Sequence, residues 1–303
     1  MELRHLRYFI AVAEEGHITR AAERLGIQQP PLSQQIRALE TELDVKLFTR
    51  KPRGVELTDA GKALLEDART ILARVEHAVV TTRRTARGDQ GRIGVGFTGS
   101  APFHPFVPRV IRAYREAYPR VAMVLEESGT TELVEALRAE RIDAAFIRSP
   151  VVDPGGLVVQ AVLDEEMVLA LPTGHPLAPK GGKEAAPVPL DAFAAETFIL
   201  YRRPVGPGLH DAIIAACHGA GFSPQVGQEA PRVLSTLNLV AAGIGISVVP
   251  ASLGRLQMDG VAFRRIATAL PLRAPLNLAC RRGEPSAAVR RFVDLVQRTA
   301  RDA

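Results

Sequence analysis

Hydroxyl and arginine side chains recur where predicted strands end in the second part of the chain. They include Thr98, Ser100, Thr130, Thr131, Arg148, Tyr201, Arg202 and Arg203, with Pro204 beside them. Because ligands of open α/β sheets bind beyond the carboxyl ends of the strands, we expect these residues to surround one crevice. Hydroxyls, helix N-termini with free N–H groups and arginine side chains suit an anion, most simply a carboxylate. Ser100, Thr130 and Thr131 are equally suited to capping helices, so that simpler interpretation stays open beside ligand binding.

A second set of polar side chains lies on one face of a short N-terminal helix. Between residues 21 and 39 the pattern predicts two helices with a turn at Gly26, which has no Cβ to hinder the left-handed conformation. Leu32, Ile36 and Leu39 recur at helical spacing and are expected to face inward. The first turn and the outer side of this helix then carry Gln29, Pro30, Ser33, Gln34 and Arg37. Neutral hydrogen-bonding side chains with one arginine suit base edges in a major groove, so the segment predicts a helix-turn-helix.

A basic hairpin is predicted directly after this second helix. Within residues 49–58, proline and glycine occupy a turn, and Val55 and Leu57 alternate after it. A wing of this kind brings Arg50, Lys51 and Arg53 beside the helix, where they can contact phosphate groups or a minor groove. A solvated basic loop is the alternative, but beside a helix-turn-helix we favour DNA contact.

A long helix from Thr58 to about Arg87 follows the hairpin. Its apolar positions alternate spacings of three and four residues, as in a coiled coil, at Leu65, Ala68, Leu72, Val75, Val79 and Thr82. Packing on its own domain is one interpretation. We favour a dimer contact, which would present two recognition helices to a two-fold DNA site.

Beyond the break at Arg87–Gly91, predicted strands alternate with helices in two successive βαβαβ halves. This order predicts parallel sheets in two similar lobes. Leu157–Ala161 and Met167–Leu171 are expected to be strands that carry the chain across, and Leu276–Ala279 with the helix Ala287–Arg301 to carry it back. The predicted domains are a winged helix-turn-helix at 1–60, a dimerisation linker helix at 61–88, and an α/β effector domain at 89–303, with lobe I at 89–162 and 268–303 and lobe II at 163–267.

The residues give little support for an enzyme. Residues 94–99 match G-x-G-x-x-G, and Glu126 or Glu127 ends the next predicted strand, as a dinucleotide site would require. However, Gly94 and Gly96 lie inside the predicted strand rather than after it. Cys217 and His218 are adjacent on a predicted helix and point to different faces. We therefore predict no catalytic residue, no metal and no cofactor.

Composition and charge are those of an ordinary globular protein. The 303 residues are 47% hydrophobic and 23% charged, with a net charge of +5. Residues 1–60 carry as many acidic as basic residues, so DNA contact would rest on a few placed side chains. No apolar run approaches the roughly 20 residues that span a bilayer, and the first residues lack the apolar core of a signal peptide. We expect a cytoplasmic protein without a membrane partner.

Several segments together resemble the LysR-type transcriptional regulators over essentially the whole chain. The matching segments are Leu6–Glu14, Thr19–Leu25, Gln29–Ile36, Phe48–Arg50 and Leu57–Gly61. The resemblance implies a winged helix-turn-helix, a dimerising linker helix and a two-lobed effector domain like that of periplasmic binding proteins. It also implies a tetramer that assembles as a dimer of dimers.

Within that family, the effector domain is most similar to the regulators of aromatic catabolism that respond to muconate, benzoate or related acids. This similarity lies in Ile93–Ser100, Ser128–Thr131, Arg141–Arg148 and Val240–Pro250. The resemblance implies that Ser100 and Thr130 contact an inducer carboxylate and that Arg148 lines or closes the site.

The sequence therefore predicts an inducer-responsive activator of a catabolic operon. Its expected partners are double-stranded promoter or operator DNA, a small aromatic or ring-cleavage carboxylate, further copies of the chain, and RNA polymerase. The alternative is a small-molecule-binding or NAD-dependent enzymatic α/β domain whose N-terminal helices serve only for dimerisation.

Overall fold

The structure, a computed structural model, describes residues 1–52, 54–148, 151, 154–179, 186–203, 207–268, 272–283 and 285–302. The chain divides into two units, Met1–Arg84 and Thr85–Ala303. Within the described ranges, no helix combines the length and the apolar character needed to cross a membrane.

Three helices and a hairpin open the first unit. The elements are α1 (Leu3–Glu15), α2 (Ile18–Leu25), α3 (Gln29–Leu43), β1 (Phe48–Lys51), β2 (Gly54–Leu57) and α4 (Asp59–Arg87). As predicted, α2 ends at Gly26 in the left-handed conformation, with φ of 69°. Leu32, Ile36 and Leu39 are buried in the core against α1 and α2. The predicted helix-turn-helix is confirmed, and α3 is its second helix.

The predicted wing is an antiparallel hairpin in which Phe48 pairs with Leu57. The N–H of Val55 donates to the carbonyl of Gly16, 2.8 Å away, and so fastens the wing to the turn between α1 and α2. Gly54 has a φ of 132°, and a Cβ there would lie 2.3 Å from the Gly16 carbonyl oxygen. Glycine is therefore required for this close approach.

The long helix α4 divides into two halves by its burial. Ala68 is buried, and Leu65 and Leu72 pack against the core of the first unit. Val79 is 44% exposed and Val80 is 41% exposed in the second half. Packing on the helix's own domain thus accounts for the first half of the apolar seam, and the second half is uncovered in the single chain.

The second unit contains the elements that position the candidate ligand site. They are β3 (Gly91–Phe97), α5 (Phe106–Ala117), β4 (Val121–Glu127), α6 (Thr130–Arg138), β5 (Ala144–Ile147), β6 (Leu157–Pro172), β7 (Val188–Pro189), β8 (Thr197–Tyr201), α7 (Pro207–Gly219), β9 (Gln225–Ala230), α8 (Val233–Ala241), β10 (Ser247–Pro250), β11 (Val261–Ala267), β12 (Arg273–Arg281) and α9 (Ala287–Arg301). Their main sheet has the order β4-β3-β5-β12-β6-β11-β7, with β10 also paired to β6, and β8 and β9 form a separate pair.

The sheets are mixed, which corrects the prediction of parallel sheets. β3 pairs in parallel with β4 and β5, and β8 with β9, as the βαβ pattern requires. However, β6 pairs antiparallel with β10, β11 and β12. β6 is also one strand of 16 residues, where two shorter strands were predicted. The long pair β6–β12 therefore runs through both lobes.

Separate hydrophobic cores lie in the two predicted lobes. The core of lobe I includes Leu276 of β12 and residues of α5 and α9, and the core of lobe II includes Met167 of β6 and Ala274 of β12. Leu163 packs against the core of lobe I. The boundary between these two cores therefore lies between Leu163 and Met167 in β6 and between Ala274 and Leu276 in β12.

The glycines of the G-x-G-x-x-G match serve packing inside β3. A Cβ at Gly96 would lie 2.5 Å from Leu133 Cδ2 of α6 and 2.8 Å from Ile142 Cδ1. A Cβ at Gly94 would lie 3.1 Å from the Cα of Ile142. Because both positions are occupied by the protein itself, these glycines do not form a cradle for a pyrophosphate, and the dinucleotide interpretation is wrong.

Candidate functional site

A cavity of about 240 Å³ lies where the predicted carboxylate site was expected. Its walls are formed by Thr98, Gly99, Ser100, Glu127, Ser128, Gly129, Thr130, Glu132, Arg148, Tyr201, Leu209, Pro231, Arg232 and Val233. Residues from the ends of β3, β4, β5 and β8 meet there, together with the first turns of α6 and α8. The sequence rule that ligands gather beyond the carboxyl ends of strands thus leads to a real cavity.

Five of the predicted residues line this cavity, namely Thr98, Ser100, Thr130, Arg148 and Tyr201. Thr131, Arg202 and Arg203 are exposed and are not among the lining residues. Pro204 lies outside the described residues.

Arg203 instead holds the side chain of Asp211 on the surface. Its Nε and Nη2 atoms donate to the two Asp211 carboxylate oxygens, each at 2.8 Å. These hydrogen bonds, with a further one from His210, lower the pKa of Asp211 to about 2. Because this guanidinium is already paired, it is less suited to a ligand than its place after β8 suggested.

The loops that hold the hydroxyl groups are fixed by the backbone. The N–H of Thr98 donates to the carbonyl of Phe146 at 3.0 Å, and the N–H of Ser128 donates to the carbonyl of Phe97 at 3.2 Å. Ser100 precedes a short 3₁₀ turn, Ala101–Phe103, but its side chain makes no capping hydrogen bond. Gly129 is the N-cap of α6 and has no side chain to offer. The capping interpretation therefore fails for Ser100, and the first N–H groups of α6 are left without a side-chain cap.

Several buried polar atoms of the cavity lack a hydrogen-bond partner. Among the described residues, Thr98 Oγ1, Thr130 Oγ1, Tyr201 Oη and Arg148 Nε are buried and unpartnered. Leaving such a group unpaired costs about 1–3 kcal/mol, so four in one cavity require an explanation. Burial also raises the pKa of the Tyr201 phenol, which keeps it a neutral hydrogen-bond donor.

Arg148 is buried and paired with a carboxylate from β6. Its Nη2 atom donates to Glu165, and its Nη1 atom donates to the carbonyl of Ala274 at 2.7 Å. Glu165 also accepts from the N–H of Ser252 at 3.0 Å. The guanidinium charge is therefore largely balanced within the protein, and Nε is the donor that can serve a ligand.

Some residues of the cavity wall were not predicted from the sequence. Glu127, Glu132, Leu209 and Arg232 line it as well. Arg232 is the N-cap of α8, and its Nη1 atom lies 4.0 Å from a carboxylate oxygen of Glu127. The predicted start of α8 could have indicated Arg232, because α8 corresponds to α6 in the other half of the domain and the start of α6 was predicted to lie at the ligand site.

The predicted nucleic-acid interface lies on α3 and the wing. Gln29, Pro30, Gln34 and Arg37 are exposed on α3, and Ser33 is half-buried. The Gln29 side-chain amide donates to the Ser33 hydroxyl at 2.8 Å. Arg50 is exposed on β1. Arg53 lies outside the described residues.

One buried carboxylate connects the recognition helix α3 to the wing. Glu40 accepts hydrogen bonds from the N–H groups of Leu47 at 2.9 Å and Phe48 at 3.2 Å, and from Lys46 Nζ at 2.9 Å. Burial tends to raise the pKa of Glu40, but the hydrogen bonds from Lys46, Leu47 and Phe48 outweigh it and leave the pKa below its usual value. Glu40 therefore fixes the start of β1 relative to α3.

A winged helix-turn-helix in one unit and a cavity in the other indicate a DNA-binding protein with a ligand-binding domain. Comparisons with known proteins agree. Residues 3–62 match the family described as "Bacterial regulatory helix-turn-helix protein, lysR family", and residues 86–301 match the "LysR substrate binding domain". The chain belongs to the LysR family and is a DNA-binding transcriptional regulator, and the alternative of an enzyme is set aside.

Individual relatives match over nearly the whole chain. The Hca operon transcriptional activator HcaR of Escherichia coli (strain K12) is 37% identical over 298 residues, which cover 98% of this chain and 97% of the relative. The HTH-type transcriptional regulator CatR of Pseudomonas putida is 36% identical over 300 residues, which cover 99% and 100%. The crystal structure of full-length CbnR complexed with its target DNA has a TM-score of 0.86 at 33% identity and covers 99% and 100%.

Proposed function

We propose that this regulator is an inducer-responsive activator of a catabolic operon and that it senses a small aromatic or ring-cleavage carboxylate between its two lobes. The observation that carries the proposal is the group of unpartnered polar atoms on Thr98, Thr130, Arg148 and Tyr201 around one cavity. A polar ligand would supply the missing partners. That HcaR is named an operon activator supports activation as the mode of regulation.

The carboxylate would lie at the start of α6. There the hydroxyls of Ser100 and Thr130 and the uncapped N–H groups of the first turn can donate to its oxygens, and the helix dipole favours negative charge. The remainder of the ligand would extend toward Leu209 and Val233 of lobe II. A ligand that contacts both lobes can shift their arrangement by as much as its affinity differs between the arrangements.

Removing these hydroxyls is expected to abolish most of the ligand affinity. Ser100→Ala and Thr130→Val should each weaken binding of an active carboxylate about tenfold or more, since each removes a hydrogen bond to a charged group. Calorimetry with a panel of aromatic and ring-cleavage acids measures this. Thr131→Val is the matched control and should change little. Unchanged affinity in both cavity variants would show that the ligand binds elsewhere.

The outer face of α3 would read bases, and the wing would contact the phosphate backbone. Gln29→Ala and Ser33→Ala should weaken binding to the cognate site by about 1–3 kcal/mol each and to random DNA much less. Arg50→Ala should weaken both equally and reduce the slope of affinity against salt concentration by about one. Gel shifts on both DNAs across a salt series measure this, and equal losses from all three variants would contradict base reading by α3.

The uncovered second half of α4 would form the dimer contact, and two dimers would assemble into a tetramer. Val79→Asp places a charge in that apolar seam and should weaken dimerisation about tenfold or more. Ala73→Asp is the matched control, because Ala73 is exposed on α4 outside the seam. Analytical ultracentrifugation measures the assembly state, and an unaltered state in Val79→Asp would place the contact elsewhere. Contact with RNA polymerase stays a prediction.

A further inference from the structure

We propose that the cavity selects ligands with one carboxylate and discriminates against those with two. The inference rests on the proposed carboxylate site and specifies its ligand class. It comes from the charges that the cavity wall already contains.

The charged groups at the cavity, together with the partner of Arg148, leave a net negative charge. The charged lining residues are Glu127, Glu132, Arg148 and Arg232. Arg148 is bound to Glu165, so its charge is balanced before any ligand arrives. With Glu165 included, three carboxylates accompany two guanidinium groups. A first ligand carboxylate must therefore be held mainly by neutral donors, and a second would add to an existing excess of negative charge.

Both acidic residues of the wall lie close to the expected carboxylate position. A Cβ on Gly99, between Thr98 and Ser100, would lie 3.2 Å from a carboxylate oxygen of Glu127. Glu132 belongs to the first turn of α6, whose N-terminus would bind the ligand carboxylate. These two residues thus already compensate part of the positive field at this end of the cavity.

Arg232 is poorly placed to offset a second ligand carboxylate. Its side chain is 75% exposed, and its nearest carboxylate is that of Glu127 at 4.0 Å. Water and salt therefore screen this guanidinium more than the Glu127 carboxylate, whose side chain is 46% exposed. Leu209 and Val233 complete this side of the cavity and favour an uncharged remainder of the ligand.

The experiment compares acids that share a carbon skeleton and differ by one carboxylate. Full-length protein is titrated calorimetrically with the pairs 4-methylbenzoate and terephthalate, sorbate and muconate, and butyrate and succinate. In the wild type, the monoacid of each binding pair should bind about tenfold tighter than the diacid, since like charges brought together disfavour the wrong ligand. In the double variant Glu127→Gln/Glu132→Gln, this ratio should fall toward one.

A control variant tests whether the position of the removed charge matters. Glu135→Gln makes the same kind of charge change on α6 outside the cavity lining and should leave the ratio unchanged. A diacid that binds as tightly as its monoacid, or a ratio that the double variant does not change, overturns the inference and leaves the carboxylate site standing. If the wild type binds a diacid tighter than its monoacid and Arg232→Gln or Arg202→Gln abolishes this preference, the inference is also overturned. The variant then identifies the residue that binds the second carboxylate. If no pair binds, the carboxylate site itself fails.

Discussion

Arg148→Met is expected to destabilise the effector domain by about 3–5 kcal/mol, because it leaves the buried Glu165 carboxylate without its counter-charge. Arg148 is 2% exposed and Glu165 is 8% exposed, so water cannot replace the lost partner. The carbonyl of Ala274 loses its donor as well. Denaturant unfolding of the full-length protein, followed through the signals of the effector domain, measures the change in free energy.

Two further variants separate the cost of an unpaired charge from the loss of packing. In Arg148→Met/Glu165→Gln the charge is gone, while the amide oxygen can still accept from the N–H of Ser252, so most of the stability should return. Arg203→Met removes an arginine that is also bound to a carboxylate, but on the surface, and should change the stability little. If the double variant is as unstable as Arg148→Met, packing of the arginine stem rather than charge is the cause.

The contrast between Arg148 and Arg203 also shows how far the sequence predicts the site. Both follow predicted strands, and position alone made both candidates for ligand binding. One side chain lies buried in the cavity wall, and the other pairs on the surface with Asp211, eight positions further along the chain. Strand ends predict where a crevice forms, but the partner of a charged side chain depends on tertiary contacts that no local spacing contains.

The same limit explains the error over β6. Residues 164–166, Asp-Glu-Glu, interrupt the apolar pattern between the two predicted strands, Leu157–Ala161 and Met167–Leu171. In the structure, Arg273 of the neighbouring strand β12 donates to Asp164 at 2.9 Å, and Arg148 binds Glu165. Charges that seemed to break the strand are paired by residues distant in sequence, so the strand continues.

The helices were predicted more closely, because helical periodicity and glycine ends are local signals. α9 has the predicted bounds, and α4 extends to Arg87 as predicted. What the sequence left open was the partner of α4, since an apolar seam has the same pattern whether it faces its own domain or another chain. Ala68 is buried in the core of its own domain, whereas Val79 is exposed and can contact another chain.

In the DNA-binding unit, Glu40→Ala is expected to loosen the wing and abolish specific DNA binding while the effector domain stays folded. The substitution leaves the N–H groups of Leu47 and Phe48 without their acceptor, at a cost of about 1–3 kcal/mol for the buried N–H of Leu47 and less for the half-buried one of Phe48. Amide hydrogen exchange should accelerate across residues 40–58 and stay unchanged beyond Thr85. Glu42→Ala is the matched control on α3, because Glu42 is exposed.

The contribution of Glu40 should also depend on pH in a defined direction. Because its pKa in the folded protein is lowered, its stabilisation is fully present above the usual carboxyl pKa and is lost as the pH falls through the folded value. The exchange difference between wild type and Glu40→Gln should therefore be largest near neutral pH and should shrink in acid. A difference that does not change with pH would mean that the ionisation of Glu40 makes no contribution. The wing would then be held by the geometry of these hydrogen bonds and not by the charge of Glu40.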